Sequence, residues 1–333
     1  YEESNGDLLK TEHFDALGNL KRREENTYMY HDYYPPRKVG IGMHIKFHLN
    51  YSFACIGSSP VVGGTIENMQ IYEIKDEVTP VLLKKTTEYF SNGQLEKTIS
   101  YDYNNKYQPS VITETTSESG ANKIIKNYYP GDAEIASFPY TSELVSKNII
   151  GSPLRSKQYS GTELLEQVDK EYGLFNGSLL AEASVKTLKG GNTTVPQTEF
   201  NLERYDEKGN LLQYKKANSI PISLIWGYKK TLPIAKIENL AYNTIPASTI
   251  TDLQQKSDTG TEADLLLALD ALRTAFPDAL VTAFTYKPGI GISTKTDSKG
   301  NKASYHYDNK GRLKQVRDRD NNILSENEYH YKP

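Results

Sequence analysis

His44 and His48 lie four residues apart, the spacing that places two imidazoles on one face of a helix around a metal ion. Their surroundings alternate, with Ile41, Met43, Ile45, Phe47 and Leu49 set against Gly42, His44, Lys46 and His48, which is the period of a strand. On a strand the two histidines share a face but stand about 13 Å apart, too far to hold one ion. Asp318, Asp320 and Asn322 begin like a calcium loop, yet the sixth position is Ile323 rather than Gly and the twelfth is Tyr329 rather than Glu. A hairpin turn accounts for that run. Gly40-Ile41-Gly42 and Gly289-Ile290-Gly291 lack the full phosphate-binding pattern and read as strand kinks or bulges.

Nucleophilic chemistry finds no better footing. Cys55, within Phe53-Ala54-Cys55-Ile56, reads as a small buried apolar residue. As the single cysteine it excludes an intrachain disulfide and a multi-cysteine metal site. Neither a Gly-x-Ser-x-Gly elbow nor a His-Glu-x-x-His motif occurs. Asn176-Gly177-Ser178 and Asn192-Thr193-Thr194 fit glycosylation sequons but read as turns. The expectation is a protein without enzyme activity, cofactor or metal.

Composition narrows the classes further. With 39 Lys+Arg against 42 Asp+Glu and a net charge of −3, there is no field to draw nucleic acid or an anionic membrane. The longest apolar run, Leu265 to Leu269, is too short to cross a bilayer. The outlier is tyrosine, 25 in 333 residues. Many tyrosines open one recurring phrase. It reads Tyr307-Asp308-Asn309-Lys310-Gly311-Arg312-Leu313, then Tyr205-Asp206-Glu207-Lys208-Gly209-Asn210-Leu211, then Phe14-Asp15-Ala16-Leu17-Gly18-Asn19-Leu20. A fourth copy keeps Tyr89, Gly93 and Leu95 without the aspartate.

The phrase spells a hairpin. An aromatic suits the end of a half-buried strand, and Asp can turn its carboxylate onto the backbone two residues on. Glycine supplies the positive φ that closes a type I turn with a bulge, and Leu starts the returning strand. Near the C-terminus Tyr286 and Tyr307, Asp297 and Asp318, and Asn301 and Asn322 are each 21 apart, with Asn321 matching Gly300. Repetition at a fixed period marks a repeat architecture. The tyrosines have two readings: a cross-strand ladder, or an exposed surface for sugars or a partner.

These residues resemble the YD-repeat, or RHS-repeat, family of large bacterial cell-surface and toxin-delivery proteins. The resemblance is strongest over 300–331, moderate over 200–242, and weak in the N-terminal third. Ile225-Trp226-Gly227-Tyr228 with Leu232-Pro233-Ile234-Ala235-Lys236-Ile237 is similar to the segment before the family's core. The resemblance implies hairpins wound into a spiralling sheet or partial shell that encloses or presents a cargo. The family's self-cleaving core and variable toxin would lie beyond Pro333.

The expected fold is therefore mainly β, an antiparallel array of hairpin repeats in three stretches. Residues 1–242 form irregular repeats, 243–280 an inserted helical segment, and 281–333 a repeat meander. Strands are expected at 67–74, 79–90, 94–103, 110–116, 121–129 and through 143–220. Within the insertion, Pro246–Gln255 starts a helix, and Thr261-Glu262-Ala263-Asp264 opens another with a capping-box-like sequence. Leu265, Leu266, Leu269, Leu272 and Phe276 recur at helical spacing before Pro277. The expected function is a structural scaffold segment of an exported bacterial protein at the cell surface or outside the cell. Its expected partners are the rest of its own longer polypeptide and cell-envelope or secretion-system proteins, with no nucleic acid and no membrane-spanning segment. The alternative is a binding module: an adhesin, a carbohydrate-binding surface, or a subunit docked on an outer-membrane secretion machine.

Overall fold

The computed structural model describes residues 7–29, 37–52, 61–76, 80–117, 120–190 and 195–329, with the backbone alone for 37–52 and 61–76. Among the described residues eighteen strands belong to one antiparallel sheet and two more form a separate hairpin. The expected mainly β, hairpin-by-hairpin fold holds. The chain divides into two compact units, Tyr1–Lys126 with Gln158–Glu163, and Asn127–Lys157 with Leu164–Pro333.

The first unit runs through β1 (Lys10–Phe14), β2 (Leu20–Tyr28), β3 (Arg37–Ser52), β4 (Val61–Asp76), β5 (Val81–Phe90), β6 (Gly93–Tyr103) and β7 (Pro109–Thr116) to β8 (Lys123–Tyr128). The pair β3–β4 is the separate hairpin, and β2 pairs with β5 across it, Arg22 opposite Glu88. Among the described side chains of this unit only Pro80 and Thr87 are buried. Cross-strand ion pairs lace the sheet instead, among them Arg23–Glu12 at 2.9 Å, Lys85–Glu96 at 2.8 Å and Lys97–Glu114 at 2.8 Å. Each such pair is worth well under about 1 kcal/mol in water, so their number and register carry the effect.

The second unit continues with α1 (Thr141–Ser146), β9 (Arg155–Ser160), β10 (Glu163–Phe175), β11 (Leu179–Lys189), β12 (Gln197–Tyr205), β13 (Leu211–Lys216), β14 (Pro221–Gly227) and β15 (Leu232–Glu238). Then come α2 (Ala247–Thr259), α3 (Glu262–Ala275), β16 (Leu280–Lys287), β17 (Gly291–Thr296), β18 (Lys302–Tyr307), β19 (Leu313–Arg317) and β20 (Ile323–Glu326). From β10 to β20 every strand pairs with the next one in sequence. The helical insertion appears where expected, and β15 pairs directly with β16 across it, Ala235 opposite Ala283.

One stretch corrects the sequence reading. Residues 143–146, the expected start of the strands through 143–220, lie instead in the helix Thr141–Ser146. The segment before and after it carries Pro130, Pro139 and Pro153, which cannot donate to a ladder. A single helical turn instead buries Leu144 beside Ile135 and Leu154.

Why the helices sit on the sheet is plain from the residues. Strands β14, β15 and β16 bury Ile225, Ile234, Ala235, Ile237, Val281 and Ala283. Leu265, Leu269 and Leu272 bury from α3 and Leu253 from α2, so the leucine stripe packs on the sheet. The capping box is present: Thr261 Oγ1 accepts from the Asp264 amide at 3.2 Å, and the Asp264 carboxylate accepts from the Thr261 amide at 3.2 Å. Pro277 stops the helix. Beside α1, the carboxylate of Asp169, 3 % exposed, accepts from the Arg155 guanidinium twice at 2.8 Å and from the Gln167 amide at 3.1 and 2.9 Å. No helix among the described residues is long and apolar enough to cross a membrane.

Candidate functional site

The recurring phrase builds one turn. At Asp15, Asp206, Asp297, Asp308 and Asp318 the carboxylate Oδ1 accepts from the amides two and four residues on, at 2.8–2.9 Å. The other oxygen accepts from the side chain four residues on: Asn19, Asn210, Asn301, Arg312 and Asn322. A positive φ falls three residues after each aspartate, at Gly18, Gly209, Gly300, Gly311 and Asn321. The 21-residue spacing singles out the residue after that position only at Asn301 and Asn322. Its signal was available, since an amide or guanidinium donor fills the slot in all five.

Asn104 builds a sixth turn of this kind that no repeat phrase announced. Its Oδ1 accepts from the amides of Lys106 at 2.9 Å and Gln108 at 3.1 Å, with Tyr107 at φ 59° in the glycine's place. The copy at Tyr89 differs. Phe90 pairs with Gly93, so Ser91 and Asn92 alone make the turn, and Gly93 and Leu95 lie in the returning strand β6. Without the aspartate nothing caps a wider loop, and the two-residue turn closes instead.

Two amides and a side-chain donor around each carboxylate have an electrostatic consequence. Hydrogen bonds from Asn19 hold Asp15 down at about 2, and those from Arg312 hold Asp308 at about 2. Asp297 and Asp318 are lowered in the same sense by Asn301 and Asn322. A folded carboxylate lowered from about 3.9 adds stability that is present above that value and lost as pH falls towards 2. The melting temperature is therefore expected to hold above about pH 5 and decline steadily from there to about pH 2. Asp308→Asn should flatten part of that decline in a thermal melt series, and an unchanged slope would count against the turn as its source.

Aromatic side chains at or just past strand ends tie one strand to the one before it. A ring near the end of one strand donates to a backbone carbonyl of the preceding strand or its lead-in seven times over. These are Tyr28 to Leu8 (3.1 Å), Tyr103 to Val81 (2.8 Å), Tyr205 to Glu182 (2.7 Å) and Trp226 to Leu211 (2.8 Å). The others are Tyr286 to Pro233 (3.0 Å), Tyr307 to Ile292 (2.9 Å) and Tyr329 to Leu313 (2.9 Å). Tyr205 is 8 % exposed, edge-on to Phe175 at 4.8 Å. Burial pushes its hydroxyl up to about 12, so it stays a donor across the physiological range. Tyr205→Phe leaves the Glu182 carbonyl without this donor and is expected to cost about 1–2 kcal/mol in urea unfolding. A loss below a few tenths would mean the carbonyl is satisfied elsewhere.

The most strained backbone lies where these turns meet the helices. Tyr228, Lys229 and Lys230 follow one another with φ of 49°, 60° and 61°, and the Thr231 amide closes onto the Gly227 carbonyl at 3.0 Å. This is one turn of left-handed helix in residues with side chains, unfavourable by about 1–2 kcal/mol each. Partners on both sides impose it. Ser257 Oγ and the Asp258 carboxylate, at the end of α2, accept from the amides of Tyr228 (3.0 Å) and Lys229 (2.6 Å). From the Asp206 turn, Lys208 Nζ and Asn210 Nδ2 donate to the carbonyls of Lys229 (2.7 Å) and Lys230 (2.9 Å). The Tyr228 hydroxyl accepts from the Tyr286 amide at 2.9 Å and donates to its carbonyl at 3.3 Å.

Lys229→Gly should relieve that strain and, after the entropy of a looser unfolded chain, stabilise by up to about 1 kcal/mol. A urea midpoint that falls would show the lysine side chain is needed for packing.

Beside the turn opens a 720 Å³ cleft whose walls include Lys229, Asp258, Glu262, Tyr286 and Pro288. Glu262 accepts from Thr285 Oγ1 at 2.5 Å, tying α3 to the sheet. The polar groups here hold helices to strands. Among the described residues no three His, Cys, Asp or Glu side chains gather to hold a metal. His44 and His48 lie in β3, opposite Gln70 and Thr65. Gly40 and Gly42 also fall in β3, and Gly289-Ile290 forms the turn into β17. Asp318 and Asn322 form a turn of the set above. Asn176 donates to the Tyr205 carbonyl at 3.0 Å from a left-handed turn. Cys55 and the Asn192 sequon lie outside the described residues.

No protein-family description and no curated protein matches the chain. Among solved structures it is similar to TcdB2-TccC3 without its hypervariable C-terminal region, at 11% identity and a TM-score of 0.29. That match covers 92% of this chain and 18% of the other. It is also similar to a Photorhabdus luminescens Tc holotoxin pore carrying a TccC3 mutation, at 12% identity and a TM-score of 0.29, covering 96% and 18%. The chain thus spans under a fifth of the length of the chains it matches.

Proposed function

We propose that this chain is a segment of a non-enzymatic YD-repeat scaffold, part of an exported bacterial protein that encloses or presents a cargo outside the cell. One observation carries the reading: a single turn, its aspartate carboxylate accepting from the amides two and four residues on, is built at Asp15, Asp206, Asp297, Asp308 and Asp318. Residues spent on identical turns and on aromatic clasps make a long sheet stiff and repetitive, which is what a wall or platform requires. The Asp258 and Glu262 carboxylates beside the strained turn are occupied with structural partners, which supports a role without turnover. The rest of its own polypeptide and cell-envelope or secretion-system proteins are the partners this role implies.

The test uses the full-length protein in the bacterium that makes it, with an epitope placed in the exposed Gly18-Asn19 turn. Protease added to intact cells or to culture medium should reach the epitope, while a reporter fused as cargo stays protected until the sheet is unfolded. Recovery of the epitope only from the cytosol would overturn the export reading, and equal cleavage of reporter and epitope would overturn enclosure.

A further inference from the structure

The hairpin β3–β4 is composed unlike the sheet it leaves. Its strands are 16 residues each, about 50 Å long at the usual rise. Among the described residues each pairs only with the other. The main sheet is complete without them: Thr27 stands opposite Leu83 and Tyr28 opposite Val81, and the Met29 amide donates to the Pro80 carbonyl at 2.9 Å. A ribbon of two strands is marginal in water by itself.

The register sorts its residues onto two unlike faces, because cross-strand partners share a face and neighbours along a strand alternate. Met43 opposite Ile71, Ile45 opposite Met69 and Phe47 opposite Ile66 fall on one face. His44 opposite Gln70, Lys46 opposite Asn68 and His48 opposite Thr65 fall on the other. The apolar row continues to Tyr51 opposite Val62, so it covers 43–51 and 62–71. That matches the roughly 9–11 residues with which a tilted strand crosses a bilayer, and Tyr51 stands at one end, where an interfacial aromatic belongs.

Charge is withheld over the same stretch. Across 39–72 the charged residues are Lys46 and Glu67 alone, although Asp, Glu, Lys and Arg make up 24% of the chain. The two sit at one level, since Glu67 is the extra residue of the bulge beside the Lys46 and Asn68 pair. Charges resume outside the row, at Arg37 and Lys38 and at Glu73, Lys75 and Asp76. A ribbon that only packed on protein could carry charges on its far face, as β5 carries Lys84, Lys85 and Glu88. Depletion on both faces suits strands that pass through hydrocarbon, where each charge is costly.

We propose that β3–β4 is a membrane-inserting hairpin, which joins the hairpins of further copies of this chain in a transmembrane β-barrel. The face of Met43, Ile45 and Phe47 meets lipid, and the face of His44, Lys46 and His48 lines the lumen. Further copies are required because two strands alone leave both edges with unsatisfied amides and carbonyls, which hydrocarbon does not tolerate. Such strands escape a search for apolar runs, since a polar residue interrupts them at alternate positions. The role goes beyond the scaffold reading and rests on the hairpin alone.

The probe is phosphatidylcholine vesicles loaded with calcein, mixed with the purified full-length protein. Dye release is expected to rise more steeply than linearly with protein concentration. Ile45→Lys should lower it about tenfold or more, whereas His48→Lys, on the lumen face, should change it by less than about twofold. Circular dichroism should match the parent in both. Should Ile45→Lys fail to fold, a second readout stands without it: an environment-sensitive dye on Ile45→Cys, Lys46→Cys, Phe47→Cys or His48→Cys, each in a Cys55→Ser background. Emission should rise with vesicles, and be quenched by nitroxide-bearing lipid, at 45 and 47 but not at 46 and 48. Absence of release, or emission that does not alternate, would overturn the proposal. Dyes at 45 and 47 that are shielded before lipid is added, and unchanged by it, would also overturn it, assigning the face to packing within the protein.

Discussion

Replacing Gly227 with alanine is expected to destabilise the second unit by about 3 kcal/mol and to loosen α2 from the sheet. A Cβ at this position would overlap Ser257 Oγ and lie 2.8 Å from Ile234 Cγ2 and 2.9 Å from Ser257 Cβ. Neither neighbour is free to move. Ile234 is fully buried in the main core, and Ser257 caps the strained turn while donating to the Gln254 carbonyl at 2.7 Å. Relief must come from the helix, which would withdraw the acceptors for the Tyr228 and Lys229 amides. Gly209→Ala is the control. Its φ is +83°, yet the nearest atom to an added Cβ is Leu179 Cδ1 at 4.0 Å, so only backbone strain of about 1 kcal/mol is expected. Urea midpoints and hydrogen exchange along 247–259 would compare the two. Equal losses, or unchanged exchange in α2, would show that close approach is not what demands the glycine.

Arg155→Met should cost about 3–5 kcal/mol, because it strands a buried charge. The guanidinium is stacked over Phe138 at 4.9 Å and holds Asp169 through both oxygens. With only Gln167 left as a donor, the carboxylate would face a low-polarity interior or take up a proton. Methionine preserves much of the apolar contact with Phe138, so the loss reads the charge rather than the volume. Combining Arg155→Met with Gln167→Leu and Asp169→Leu removes the polar set together and should recover most of the stability. A triple variant no better than the single would place the loss in packing.

How much of this could be read from the sequence varies by element. The aspartate turns were legible because turn chemistry is local: Asp, a positive-φ glycine and flanking strands all lie within seven residues. The helical insertion was legible for the same reason, since Thr261, Asp264 and the leucine spacing act within one helix. The left-handed turn at Tyr228-Lys229-Lys230 was not. Its residues carry no preference for that conformation, and the groups that impose it come from 20 to 29 positions away, at Lys208, Asn210, Ser257 and Asp258. The pairing of Asp169 with Arg155 depends on the chain folding back across α1, which no local pattern encodes. The tyrosine excess is visible in the composition, and from the sequence it admits both a ladder and an exposed surface. In the folded chain the hydroxyls, by donating to backbone carbonyls, do the joining.

Glu238 and Leu280 are cross-strand partners, and everything between them leaves the sheet and returns to it at one strand spacing, about 5 Å. To the ladder, the two-helix excursion is no different from a tight turn. The penalty for a longer detour grows only with the logarithm of its length, so the same gap could accept a different folded domain whose ends lie as close together. The position is a socket, where lineages or engineers could exchange one module for another without rewriting the strands on either side.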